Sequence, residues 1–367
     1  MNVRVGGSTR HHRTVAFEAR TNCVRLIEQR LLPHDFKIVS VPDFRATARA
    51  IRDMVVRGAG AIGATAAYGL AQGARAFRGR DSTKFQRHVE SVFQTLQTAR
   101  PTAVDPVNAM VEVRRRMSAG ETVEEQQQLA LTAAEDFADE DARHCRELGA
   151  HGARLIRSGM NVLTHCNAGW LAFVDYGSAT APMYAAQAQG KDFHVFCDET
   201  RPRSQGATLT AWELAQQKIP HQIIADNAAG LLFARDKINL VIVGSDRTLG
   251  RTGEVANKIG TYTKAVLAKR HGVPFYVAIP LSTIDWSLEA GREIPIEERD
   301  ESEVLGAWGV TAKGRREYVR VANPTSGAFN PGFDVTPAEL ITGIITPAGI
   351  FKPRELWSKR RLLGGPR

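Results

Sequence analysis

Five short runs in the second half of the chain constrain the fold more than any other feature: "NVLTHC" (161–166), "FHVFCD" (193–198), "HQIIAD" (221–226), "NLVIVGSD" (239–246) and "FYVAIP" (275–280). Each is rich in β-branched and aromatic residues and too short for a helix. Near-continuous apolarity, rather than alternation, marks a strand covered on both faces. Helix-like stretches fill most of the gaps, notably "GATLTAWELAQQ" and "EVANKIGTYTKAVLAKR". Buried strands alternating with helices predict an α/β fold with a doubly wound parallel sheet over residues 151–351. Upstream, "SVPDFRATARAIRDMVVR" spaces Phe44, Ala48, Ile51 and Val55 at helical intervals, and "ETVEEQQQLALTAAEDFADEDARHCREL" is a long helix former without Gly or Pro. Residues 1–150 therefore read as a mostly helical N-terminal domain.

Several function classes are disfavoured at this level. The chain has 367 residues, 43% of them hydrophobic and 24% charged, enough for a substantial core and two domains. "MNVRVGGSTRHHR" lacks the apolar core of a signal peptide, and the longest uncharged stretch, 58–74, is too rich in Gly and Ala and slightly short to span a bilayer. A cytoplasmic protein without membrane partners is the expectation. Cys23, Cys145, Cys166 and Cys197 form no C-x-x-C pair, so free thiols are expected, with neither a disulfide framework nor a metal site. The formal charge of +9 sits at the ends: residues 1–30 carry +4 and residues 352–367 carry +5, leaving 31–351 neutral. Basic ends on a neutral body read as solvated tails, not as a nucleic-acid surface.

In open parallel sheets ligands sit beyond the carboxyl ends of the strands, and this chain places Cys166, Asp198, Asp226, Asp246 and Pro280 there. Cys166 is either a thiol aimed at the site or a small buried hydrophobe. His165 points to the opposite face of its strand and reads as a packed core histidine. Asp198 and Asp226 fit caps or loop pins, whereas Asp246, after the strongest strand, fits catalysis. "GAGAIG" (58–63) matches the dinucleotide fingerprint formally, but a helix-like stretch precedes it where the fingerprint needs a strand. Arg57, Gly58 and Ala59 ahead of a helix suit an anion better, because small residues let backbone N–H groups approach it at the positive end of the helix. Tight helix packing through Gly and Ala is the alternative. The polar loop around Gln205, and Asn257 with Lys258 at an expected helix start, complete the candidates.

Eight blocks, in order from about residue 40 to 351, carry a family resemblance: "RGAGAIGATAAYGLA", "RPTAVDPVNAM", "LTHCNAG", "DETRPRSQGATLTAWEL", "DNAAGLLF", "VANKIGTYTKAVLAKRHGVPFYVAIPLSTID", "IPIEERDESEV" and "NPGFDVTPAELITGIIT". Together they resemble the methylthioribose-1-phosphate isomerases, a family sharing its fold with the regulatory subunits of the translation-initiation guanine-exchange factor. The resemblance implies a Rossmann-like C-terminal domain that binds no dinucleotide, a homodimer, and a small sugar-phosphate substrate in methionine salvage. It puts the sugar-phosphate site on Arg57, Gly58, Ala59, Arg100, Gln205, Asn257 and Lys258, and the catalytic pair on Cys166 and Asp246.

The implied chemistry explains these residue types. An aldose 1-phosphate is a locked cyclic acetal, so an acid must protonate the ring oxygen as the ring opens. Asp246 with a raised pKa fits that part. Hydrogen then moves from carbon 2 to carbon 1, either as a proton through a Cys166 thiolate and a cis-enediolate or as a direct hydride; no cofactor is needed. Arginine forks suit the phosphate. The chain departs from the family's pattern at Gly60, Arg203, Ser204 and Trp170, and in one extra residue between Asp246 and Asn257. If these loops border the 5-substituent, 5-deoxyribose 1-phosphate, another 5-substituted ribose 1-phosphate, or ribose 1,5-bisphosphate meeting Arg203 become substrates to weigh. A non-catalytic regulatory subunit is the rival reading.

Overall fold

The protein, seen in a computed structural model, is described over residues 1–100 and 104–366. The five apolar runs form strands at Asn161–Thr164, His194–Asp198, His221–Ile224, Leu240–Val243 and Phe275–Ala278, parallel wherever they pair. Gly343–Thr346 adds a sixth parallel strand, and Gly349–Phe351 turns back antiparallel at the edge. Numbered along the chain, the seven lie in the order 3-2-1-4-5-6-7. The connection reverses direction between the first strand and the fourth, so a crevice opens beyond the ends of Asn161–Thr164 and Leu240–Val243. Alternate side chains feed two cores: Val162, Leu240 and Ile242 face one with Met183 and Leu214, while Leu163, Val241 and Val243 face the other with Phe233 and Ala265. Apolar residues on both faces are what a sheet covered on both sides demands.

The N-terminal half is helical from residue 44, with Phe44–Arg52, Ser82–Gln97, Asp105–Met117 and Val123–Gly152 packed around Ala59–Ala76. That central helix is buried over nearly its whole length, which its Gly and Ala content allows by letting neighbours approach closely. The 30-residue helix Val123–Gly152 continues on to pack against the sheet half of the molecule. Ahead of residue 44 the chain is β rather than helical: a hairpin of Asn2–Val5 and Ser8–His11, then an antiparallel meander of Val15–Glu18, Cys23–Ile27 and Ile38–Val41. In "CVRLI" Val24 and Leu26 are buried and Arg25 is exposed, a period of two that overrides the helical reading of this stretch.

Both basic ends are anchored instead of forming free tails. Val3 is fully buried near the start, and Leu356 and Leu363 are buried near the end while Arg354 and Arg361 stay exposed. No helix among the described residues is long and apolar enough to cross a membrane.

Candidate active site

All nine residues singled out from the sequence line one cavity beyond the switch point of the sheet: Arg57, Gly58, Ala59, Arg100, Cys166, Gln205, Asp246, Asn257 and Lys258. They arrive from six separate stretches. Cys166 follows the first strand and Asp246 the fourth. Asn257 and Lys258 lie not at a helix start but in the strand Val255–Lys258, which pairs antiparallel with Arg247–Leu249 and Phe333–Thr336. Gly260, left-handed at φ 102°, separates that strand from the helix Thr261–Arg270, so the helix-like pattern began seven residues too early.

The helix Ala59–Ala76 aims its N-terminus at the cavity. Gly58 caps it with no side-chain hydrogen bond, leaving the first-turn amides for a ligand. Only glycine fits there, because φ is 93° and a Cβ would lie 2.4 Å from the Cα of Ala172. The residues before this helix are not a strand, so "GAGAIG" lacks the context of a dinucleotide fingerprint. Lys258 donates to the Gly332 carbonyl at 3.0 Å and lies 4.8 Å from the centre of the Phe333 ring. Arg57 reaches across to the next loop, donating to both the side-chain and the backbone oxygen of Asn167. Arg100, with Pro101 beyond it outside the described residues, pairs with Glu297 at 3.3 Å, and its buried Nε has no partner among the described residues. Arg57, Arg100 and Lys258 thus converge on the end of the helix, where an anion is welcome.

Cys166 is buried and held in the left-handed conformation, φ 66°. Its backbone N–H donates to Thr200 Oγ1 at 2.8 Å, its carbonyl accepts from Thr210 Oγ1 at 2.7 Å, and its thiol donates to Gln205 Oε1 at 3.4 Å. Burial raises the thiol's pKa above its ordinary value, against the pull of Arg57 and Lys258. Burial thus favours the thiol over the thiolate that the proton-transfer route implied by the family resemblance uses. Burial likewise raises Asp246 above the usual carboxylate range, opposed by Lys258, Arg57 and Arg100. No hydrogen bond from the described residues reaches its carboxyl. A carboxyl whose pKa is raised and which is free to donate into the cavity suits a general acid.

Other groups that hold the site carried little sequence signal. Glu213, in the helix Ala211–Gln216, is wholly buried and accepts from Asn167 Nδ2 (3.0 Å), Leu171 N (3.0 Å) and Tyr184 Oη (2.8 Å), fixing the loop that positions Arg57. Gln205 opens a π-helical turn, Gly206–Thr210, a distortion often found at working sites. Asp226 is the loop pin it was expected to be, accepting from the N–H groups of Thr200 and Arg201 at 2.7 Å each. His165 is buried, yet more engaged than a packed histidine: Nδ1 meets Asp198 Oδ2 and Nε2 meets the Ile259 carbonyl, both at 2.8 Å, while Lys264 reaches Asp198 Oδ2 at 3.3 Å. Ligand atoms of His165, Asp198 and Asp226 lie within 4.8 Å of one another. Most are already committed to these bonds, and the Lys264 ammonium supplies the positive charge.

The departures from the family pattern fall in different places. Arg203 lines the cavity but pairs with Glu303 at 2.8 Å, and Glu303 also holds Arg299 at 2.7 Å. Arg203 is therefore an exposed loop charge already paired with a carboxylate, not an uncompensated cation awaiting a second phosphate. Trp170 is fully buried against Trp212, ring centroids 6.1 Å apart, away from the cavity. The loop between Asp246 and Asn257 packs outward: a Cβ on Gly250 would lie 2.2 Å from Trp286 and one on Gly253 2.4 Å from Pro353, and Arg251 stacks 4.3 Å over Trp357. Neither borders a substrate.

Residues 55–353 match the model of the initiation factor 2 subunit family. A methylthioribose-1-phosphate isomerase of Methylorubrum populi is 48% identical over 357 residues, covering 94% of this chain and 95% of the relative. Among solved structures, a 5-methylthioribose 1-phosphate isomerase from Pyrococcus horikoshii superposes with TM-score 0.83 at 38% identity, covering 97% of this chain and 96% of the other. A chain described as the delta subunit of translation initiation factor eIF-2B from A. fulgidus gives 0.81 at 36%, covering 96% of this chain and 100% of the other. The chain belongs to the initiation factor 2 subunit family and, within it, to the methylthioribose-1-phosphate isomerases.

Proposed function

We propose that the protein is an aldose–ketose isomerase that converts 5-methylthioribose 1-phosphate, or a close 5-substituted or 5-deoxy analogue, to the corresponding ribulose 1-phosphate. The observation that carries this reading is the pairing of an acid whose pKa burial raises, Asp246, with a thiol, Cys166, in one cavity whose floor is a helix N-terminus without a side-chain cap, flanked by Arg57, Arg100 and Lys258. The phosphate binds at that floor. Asp246 gives its proton to the ring oxygen as the bond from that oxygen to carbon 1 breaks. Cys166, reacting as the thiolate once its own proton has passed to solvent, takes the carbon 2 proton and returns it to carbon 1 through an enediol, while the 2-hydroxyl proton passes to the Asp246 carboxylate and restores the acid. Gln205 orients the thiol and Asn257 the sugar. A homodimer in the cytoplasm, without nucleic acid, belongs to the same reading.

One observation favours a second route for the hydrogen. Burial holds Cys166 as a thiol, and a hydride passing with its electron pair from carbon 2 to carbon 1 needs no thiolate. Substrate deuterated at carbon 2 separates the two: deuterium wholly retained at carbon 1 supports hydride transfer, and loss to solvent supports the cysteine route.

The eIF-2B relative keeps alive a regulatory, ligand-binding role, which gives no reason for both the thiol and the acid to face one cavity. The test is ketose formation by purified protein from 5-methylthioribose 1-phosphate, 5-deoxyribose 1-phosphate and ribose 1,5-bisphosphate, with chelator present. The first two are expected to turn over. The bisphosphate should be at least tenfold slower, since Glu303 already neutralises Arg203. No turnover of any of the three would sink the isomerase reading.

A further inference from the structure

A second cavity, of about 310 Å³, opens off the first and shares Met54, Arg57, Arg203 and Gln205 with it. None of the anion-binding groups Gly58, Ala59, Arg100 and Lys258 lines it, nor does Asp246. Its apolar walls come from Leu32, Pro33 and Leu209, and from Trp308 and Tyr318 on the hairpin of Gly306–Val310 and Arg316–Arg320. The two rings meet edge to face, 5.8 Å between centroids, and the Tyr318 hydroxyl donates to the Ser302 carbonyl at 2.7 Å. Charges in these walls are already engaged: Arg203 with Glu303 at 2.8 Å, and Arg316 stacked 4.6 Å over Trp308.

We infer that this chamber receives the 5-substituent of the sugar and is built for thioethers larger than methyl, so that the substrate class extends to 5-alkylthio and 5-arylthio ribose 1-phosphates. The inference rests on the isomerase reading. With the carbon 1 phosphate on the helix N-terminus and carbons 1 and 2 between Cys166 and Asp246, the far end of the ring points away from the phosphate site. Gln205, which lines both cavities and meets the Cys166 thiol at 3.4 Å, marks the way from the catalytic pair into the chamber. A cavity of roughly 150 Å³ holds a benzene ring, so 310 Å³ exceeds what a methylthio group can fill. Each further methylene leaving water completely tightens binding about fourfold, and about twofold where half of it stays exposed beside a wall as open as Trp308, so three give about tenfold.

The test compares KM for the 5-S-methyl, 5-S-n-butyl and 5-S-phenyl compounds with the wild-type protein. KM for the butyl and phenyl compounds is expected to be about tenfold below that of the methyl compound, with kcat of the same order. An equal or higher KM, or no turnover of either while the methyl compound reacts, overturns the inference and leaves the isomerase reading standing. Failure of all three overturns both. Trp308 is 62% exposed on its hairpin, so Trp308→Ala should fold. In that variant the butyl-to-methyl ratio of kcat/KM should fall at least threefold; an unchanged ratio overturns the assignment of this chamber.

Discussion

Asp246→Asn is expected to lower kcat by about 10³-fold or more, with a small effect on KM and on the unfolding midpoint. The expectation follows from what surrounds the residue. Burial favours the protonated carboxyl, and no hydrogen bond from the described residues is lost when an amide replaces it, so the change removes an acid and little else. Positioned general acids contribute about 10² to 10⁴ in rate, and a locked acetal has no other way to open. Cys166→Ser should cost a similar factor, because serine keeps the approximate size and the contact with Gln205 but its hydroxyl, far less acidic than a thiol, forms no anionic base near neutral pH. Ketose formation under saturating substrate measures kcat, and thermal unfolding checks the fold. Near-wild-type rates in either variant would remove that residue from the mechanism.

The largest expected effect on stability comes from Asp141, on the long helix Val123–Gly152. Burial pushes its pKa up to about 7, helped by the nearby Asp105 and Asp175 and opposed by the N–H of Val174, which donates to it at 2.7 Å. A carboxyl whose folded pKa lies above its unfolded value of 3.8 binds its proton more tightly in the native state. Its contribution is therefore complete below about pH 4 and is lost as pH rises toward 7. Across that window the swing is up to about 4 kcal/mol at 1.36 kcal/mol per unit. Asp105, raised by burial to about 6, adds in the same direction. Asp141→Asn should flatten the fall in unfolding free energy between pH 5 and pH 8, measured by urea denaturation, and should leave the variant more stable than the parent at pH 8. Equal slopes would refute the assignment. The position gives this a functional side: a Cβ on Gly60 would lie 2.3 Å from Asp141 Oδ1, so the carboxyl sits against the first turn of the helix proposed to take the phosphate. Kept neutral, it does not compete with that anion.

The parallel sheet and the cavity residues were legible because their signals are local. "NLVIVGSD" declares a buried strand and its end in eight letters, and topology then dictates where the end must face. Residues 1–41 were misread because short exposed-edge strands alternate weakly and contain charged residues. Asn257 and Lys258 were placed on a helix because the apolar spacing of "VANKIGTYTKAV" suits either element until Gly260 breaks it. Glu213 was invisible for a different reason: its partners, the Asn167 side-chain amide, the Tyr184 hydroxyl and the Leu171 backbone N–H, lie some 30 to 46 residues away, and no local pattern links them. Arg203 misled as an isolated cation, since its neutralising partner Glu303 is 100 residues downstream.

Cys166, Thr200 and Ser204 all carry positive φ, at 66°, 64° and 56°, and all three stand at or beside the cavity. Non-glycine residues in this region cost about 1 kcal/mol or more each, and here the cost keeps the sulfur, the hydroxyl that holds its backbone and the turn into Gln205 in one fixed arrangement. Durability and competence therefore pull apart in this loop. Glycine at Thr200 would relax the chain while discarding the hydroxyl that Cys166 donates to. A β-branched residue in place of Cys166 would meet the left-handed backbone at its most crowded. The sulfur position is closed to threonine by its backbone as much as by its chemistry, and a search for hardier variants of this protein would find its easiest gains where they do most harm.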